Sequence, residues 1–134
     1  MVSFEEIEAM LDEIAEGFPG ELYKELNGGI LLLPEEKLSD VSRKRDLYTM
    51  GEYHSGGSMG RYIIIYYGSF MQVYGHLEKK ALKKKLEHTL KHEFTHHLES
   101  LAGERDLEIE DAVYIENYLR RTRRRDGRTE RKTP

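Results

Sequence analysis

The chain contains no cysteine, and no apolar run approaches the length of a membrane-spanning helix. Without cysteine, disulfides and thiolate ligands are excluded. Any metal must be held by histidine and carboxylate, a donor set that favours a catalytic over a structural zinc site. The N-terminal stretch MVSFEEIEAMLDEI is acidic and amphipathic, unlike the basic-then-apolar start of a secretory signal. These absences point to a cytoplasmic protein with no membrane partner. At 134 residues the chain is sized for one domain, and nine Tyr and four Phe supply material for a compact core.

Charge is divided unevenly along the chain. Residues 120–134 carry seven Arg and one Lys against Asp126 and Glu130, a net of +6, so the formal −4 of the whole chain leaves −10 on residues 1–119. The terminal stretch has no apolar residue to bury and reads as a disordered basic tail. Two units follow: a folded domain over 1–119 and a tail over 120–134. A polyanion-binding role for the tail is the sharper reading. A solvating tail is the simpler one, and nucleic acid is not an expected partner.

Local patterning outlines the elements. Ser3 is placed as an N-cap with Glu6 at the capping-box position, and Phe4, Ile7, Met10, Leu11 and Ile14 follow at helical spacing until Gly17. Glu21 to Leu26 has room for one or two further turns. Ile30 to Leu33 is a short apolar strand closed by Pro34. Glu35 to Asp46 reads as a polar connection. Leu47 to His54 and Arg61 to Tyr67 form a β-hairpin around the turn-rich Ser55–Gly60, and the continuous apolar run of the second strand places it centrally. Ser69 to Tyr74 has no defined type. Glu78 to Ala102 lacks both Gly and Pro and reads as one long helix stopped at Gly103, with Leu82, Leu86, Leu90, Phe94 and Leu101 on one face. Its lysines, Lys79, Lys80, Lys83, Lys84, Lys85 and Lys91, lie mostly elsewhere, as a solvated face. Asp106 to Leu119 reads as a further helix.

Within the long helix, His92-Glu93-Phe94-Thr95-His96 spells HExxH. Histidines four apart project from one face, and both imidazoles can reach a single Zn²⁺ at roughly 2.0–2.1 Å. Glu93 lies about 100° further round the helix, placed to act on a water rather than on the ion. The opposing possibility is a solvated helix with scattered histidines, since His88 and His97 also fall in this stretch. A catalytic zinc needs a third protein ligand. Gly103-Glu104-Arg105-Asp106 supplies a turn that brings the chain back, which makes Asp106 the first choice, with Glu108, Glu110, Glu116 and His54 as alternatives. His97 is expected to be packed or hydrogen-bonded, and His88 to be a surface residue. His54 and His76 fall in expected loops.

The block LKHEFTHHLESLAGERD resembles the short bacterial zincin-like metallopeptidases, whose members carry HExxHH followed by Gly-x-x-Asp. His92, Glu93, His96 and His97 match the first part, and Gly103 and Asp106 the second. The spacing differs: the glycine follows the second motif histidine by seven residues here rather than three, an insertion of about one helical turn. The resemblance covers most of residues 3–119. It implies a small α+β zincin-like fold, a short mixed sheet packed on a long active-site helix, with an edge strand that holds an extended peptide by backbone pairing. The methionine turn of related zincins is absent, since no Met follows Met71.

The expected activity is metal-assisted peptide hydrolysis on a peptide or protein substrate. Zn²⁺ held by His92, His96 and Asp106 lowers the pKa of a bound water to about 7, and Glu93 acts as general base and then returns the proton to the leaving amine. Tyr114, Tyr118 and Arg61 are candidate oxyanion donors, and Leu47 to Tyr53 the candidate substrate edge. The alternative is a metal-binding interaction protein with little or no hydrolysis, its ion held for stability. A third reading is an interaction module working through the basic tail.

Overall fold

The structure, a computed structural model, describes residues 1–39, 47–103 and 117–120. It is an α+β fold. Helix α1 (Phe4–Glu16) leads into a 3-10 turn (Gly20–Tyr23) and strand β1 (Gly29–Leu33); β2 (Gly51–His54) and β3 (Tyr62–Tyr66) follow, then α2 (Tyr67–Tyr74) and α3 (Lys79–Gly103).

Helix α1 begins where the capping pattern predicts. The Ser3 hydroxyl accepts the Glu6 amide N–H at 3.1 Å, and the Glu6 carboxylate accepts that of Ser3 at 2.9 Å, so two N–H groups that the helix leaves without partners are satisfied reciprocally. Ile7, Leu11 and Ile14 then fall on the buried face, and Gly17 closes the helix with its N–H on the Ile14 carbonyl. Lys79, at the start of α3, reaches back to Glu6 at 2.7 Å. The Lys79 and Ser3 hydrogen bonds hold the Glu6 carboxyl down at about 2.

The sheet is mixed, in the order β1-β3-β2. β3 pairs parallel to β1 (Leu31 opposite Ile64) and antiparallel to β2 (Tyr53 opposite Ile63). Its residues Ile63 to Tyr66 are all buried, the outcome expected of a central strand covered on both faces. The hairpin turns through Gly56 and Gly57, whose φ of 95° and 74° is a conformation that only glycine adopts without strain. Its first strand is shorter than the predicted Leu47 to His54. Residues 47–49 leave β3 and pair instead with the incoming chain, Ser39 N–H to the Leu47 carbonyl and Thr49 N–H to that of Lys37, each at 2.8 Å. Tyr67 opens α2 rather than closing β3, and the stretch of undefined type is that helix. The turns predicted within Glu21 to Leu26 are the single 3-10 turn.

Helix α3 packs against β2, β3 and α1. Leu82, Leu86, Leu90, Phe94 and Leu101 all lie in the core, and each such burial contributes roughly 1.5–3 kcal/mol. Phe94 is met edge-on by Phe18 and Tyr23, at centroid distances of 5.4 and 5.3 Å. The lysine pattern holds for most of the helix but not for Lys91. It is 3% exposed and pairs with Glu87 one turn back at 3.1 Å. Residues 117–120 are helical, with Leu119 in the same core and Tyr118 edge-on to Phe18. Among the described residues, no helix is long and apolar enough to cross a membrane. The basic tail beyond Arg120 and most of the helix predicted over Asp106 to Leu119 lie outside the described residues.

Candidate metal centre

The last third of α3 and the edge strand β2 face each other across an open cleft of about 810 Å³. From the helix come His92, Glu93, His96, Glu99 and Ser100; from the strand side come Gly51 to His54 and Ser55. The i, i+4 spacing works as expected. The imidazoles of His92 and His96 stand one turn apart, their centroids 4.8 Å from each other and their planes nearly perpendicular at 87°. His96 Nδ1 lies 3.2 Å from Glu99 Oε1. An ionised carboxylate only accepts, so the proton of this imidazole sits on Nδ1 and Nε2 keeps the lone pair that a metal needs.

Glu93 is buried, at 4% exposure, yet it lines the cleft. Its carboxylate has no hydrogen-bond partner among the described residues. β2 lies directly over it at Gly51, where an added Cβ would come within 3.3 Å of Glu93 Cγ and 3.1 Å of both the Ile64 carbonyl and Ile65 Cδ1. Glycine is there for close approach rather than for a special φ. Burial, assisted by the negative charge of Glu52, pushes the Glu93 carboxyl up to about 7.

Glu52 contrasts with it. Its carboxylate accepts from Lys37, from Tyr66 Oη at 2.9 Å and from His54 Nε2 at 3.0 Å. Burial works to raise this carboxyl, but the bonds from Lys37, His54 and Tyr66 outweigh it and hold Glu52 below the usual carboxylate value. Two carboxylates of one cleft are thus pushed apart, one kept charged by three donors and the other biased toward its neutral form. Pairs separated in this way are a common arrangement for acid–base work.

Of the residues named from sequence, His92, Glu93 and His96 are brought together. The first-choice third ligand, Asp106, and the alternatives Glu108, Glu110 and Glu116 lie outside the described residues, as does Tyr114. Among the described residues, no group of three His, Asp or Glu is placed to hold a metal ion. His92 and His96 therefore fit zinc as a pair of nitrogen donors, one step short of a full set. His54, the other alternative, is not in a loop. It ends β2, stacks on Tyr62 at 4.9 Å and lines the opposite wall. Tyr118 is packed on Phe18 rather than placed in the cleft wall. Arg61 reaches the rim, its Nε 3.4 Å from Ser100 Oγ. His97 is buried and hydrogen-bonded on both nitrogens, as expected. Of the stretch Leu47 to Tyr53 offered as a substrate edge, Gly51, Glu52 and Tyr53 line the cleft; sequence reasoning missed Ser55, Glu99 and Ser100. One signal for the strand was present: Glu52 and His54 are polar at i, i+2, the period that puts both on one face.

No protein-family model matches the chain, and no curated protein does. Among solved structures, the fold is similar to that of a conserved hypothetical protein from Thermo thermophilus, with a TM-score of 0.68 and 30% sequence identity. The match covers 76% of this chain and 99% of that one.

Proposed function

We propose, for a chain that belongs to the same family as the conserved hypothetical protein from Thermo thermophilus, a zinc-dependent metallopeptidase of the zincin-like type, acting in the cytoplasm on peptide or protein substrates. One observation carries this reading: Glu93, a residue 4% exposed whose carboxylate has no hydrogen-bond partner among the described residues, opens on the cleft that the His92 and His96 imidazoles also line. Burying a carboxylate without a hydrogen-bond donor costs stability. Placing it beside two potential metal ligands gives that cost a use.

His92 and His96 would hold the ion, with Asp106 as the proposed third ligand. When bound, Zn²⁺ supplies the Lewis acidity that activates water and polarises a peptide carbonyl. Glu93 provides the proton chemistry. Its carboxylate takes a proton from the attacking water, holds it in a site that burial has already biased toward the neutral acid, and gives it to the leaving amine. Glu52, kept charged by Lys37, Tyr66 and His54, does not compete for that proton. Among the described residues β2 pairs with β3 on one side only, which gives an extended peptide an edge to which it could add as a strand.

The test combines metal analysis with Glu93→Gln. We expect about one zinc per chain in both forms and peptidase activity in the parent, reduced roughly 10²–10⁴-fold in the variant. Equal activity in the two forms would remove Glu93 from the mechanism. Zinc without activity in the parent would leave a metal-binding protein. Asp106→Ala should weaken zinc retention, and unchanged retention would assign the third position to another residue.

A further inference from the structure

His97 follows the second motif histidine directly, yet the cleft does not use it. Its ring is 1% exposed and makes two hydrogen bonds of 2.8 Å, one between Nε2 and the Lys24 carbonyl and one between Nδ1 and Tyr53 Oη. A carbonyl can only accept, so Nε2 carries the hydrogen. Nδ1 is then an acceptor, and the Tyr53 hydroxyl donates to it. One neutral imidazole therefore ties together three segments far apart in sequence: α3 itself, the edge strand β2 through Tyr53, and the chain leaving the 3-10 turn through Lys24.

The Lys24 side of this arrangement is held at a cost. Glu25, the next residue, has φ 63°, the sole positive φ of a non-glycine residue among those described. That rotation sets the direction of the Lys24–Glu25 peptide plane, and an L-residue adopts it only where surrounding structure enforces it. The Tyr53 side leads to the cleft, since Tyr53 is itself one of its wall residues.

We infer that His97 is a positioning residue, a clamp that fixes β2 to α3 and so holds the strand wall of the cleft in register with His92, Glu93 and His96. Its effect on substrate rests on the metallopeptidase reading above; its effect on the strand does not. The hydroxyl of Tyr53 is the removable part of the clamp, because Tyr53→Phe keeps the ring and removes the hydroxyl that donates to Nδ1.

Amide hydrogen exchange on Tyr53→Phe tests the inference. Exchange of Glu52 and His54 should speed up about tenfold, the equivalent of one lost hydrogen bond, with the amides of α3 unchanged. Zinc stoichiometry should stay at the parent value, and KM for a peptide should rise about five- to tenfold with kcat within about twofold. His97→Gln, which retains one donor and one acceptor, should preserve more of the strand protection than His97→Leu. Unchanged exchange in β2 would overturn the clamp, as would equal acceleration across every element, which would mark Tyr53 as a general stability residue. A parent without peptidase activity would defeat the proposed function, while the exchange data would still decide the clamp.

Discussion

The two faces of helix α3 are built to opposite standards. On the core face, Leu82, Leu86, Leu90, Phe94 and Leu101 are apolar, fully packed and at the spacing that a helix dictates. On the cleft face, Glu93 is buried as deeply as many core residues but has no hydrogen-bond partner among the described residues, and β2 approaches it through a glycine. The first face stabilises the fold. The second gives up part of that stability to hold a carboxylate at the cleft. Phe94 and Glu93 are adjacent in sequence, so the two standards meet within one residue step.

The comparison can be broken most strongly at Phe94. Phe94→Ala removes the ring between Phe18 and Tyr23 and should cost about 3–5 kcal/mol in denaturant unfolding. A loss below about 1 kcal/mol would show that the core face is not tightly packed there.

The next largest effect concerns Glu93 in protein stripped of metal by a chelator. Its folded value of about 7 lies above the ordinary 4.5, so between these values the folded state binds more protons than the unfolded one. Stability should then fall as pH rises from 4.5 to 7, and this contribution should be flat outside that window. The full difference is about 3 kcal/mol at order of magnitude. Unfolding curves at pH 5 and 8 should show the decline in the parent and its absence in Glu93→Gln. The same slope in both would place the raised carboxyl elsewhere.

Gly51→Ala sharpens the comparison from the strand side. The new methyl meets backbone and Glu93 at little more than 3 Å, so β2 must lift, at a cost of about 1–3 kcal/mol. Peptidase activity should fall by more than that stability loss explains when assayed where the variant is fully folded. Unchanged activity would mean that the seat of Glu93 does not depend on the strand. The smallest effect is expected far from the cleft. Ser3→Ala deletes half of the α1 capping box and should cost about 1 kcal/mol in thermal or denaturant unfolding with activity unaltered.

Legibility followed locality. The start and end of α1, the long helix, its apolar stripe and the pairing of His92 with His96 depend on residues within a turn or two of each other, and the spacing declared them. The cap needed only Ser3 and Glu6. β2 was harder because its length is decided by a competitor: the chain near Lys37 to Ser39 takes residues 47–49 away from β3, and neither partner announces that choice locally. The pairing of Glu52 was invisible for the same reason, since its donors come from Lys37 and Tyr66 as well as from nearby His54. Burial of Lys91 also escaped a reading by wheel position, because the wheel ranks faces by polarity and does not show what packs against them. His97 could be assigned a packed role from its angle to His96, but not its two partners, which lie 44 and 73 residues away.

That last separation bears on how the molecule is made. Closing a loop of 73 residues for one hydrogen bond carries an entropic cost that short-range contacts do not. During vectorial synthesis the 3-10 turn and the strand wall emerge well before His97 does. Until the helix is complete, Tyr53 has no imidazole to donate to and the motif histidines have no opposite wall. The Glu93 carboxylate therefore acquires its surroundings near the end of assembly, so the order of the chain itself delays the appearance of the cleft.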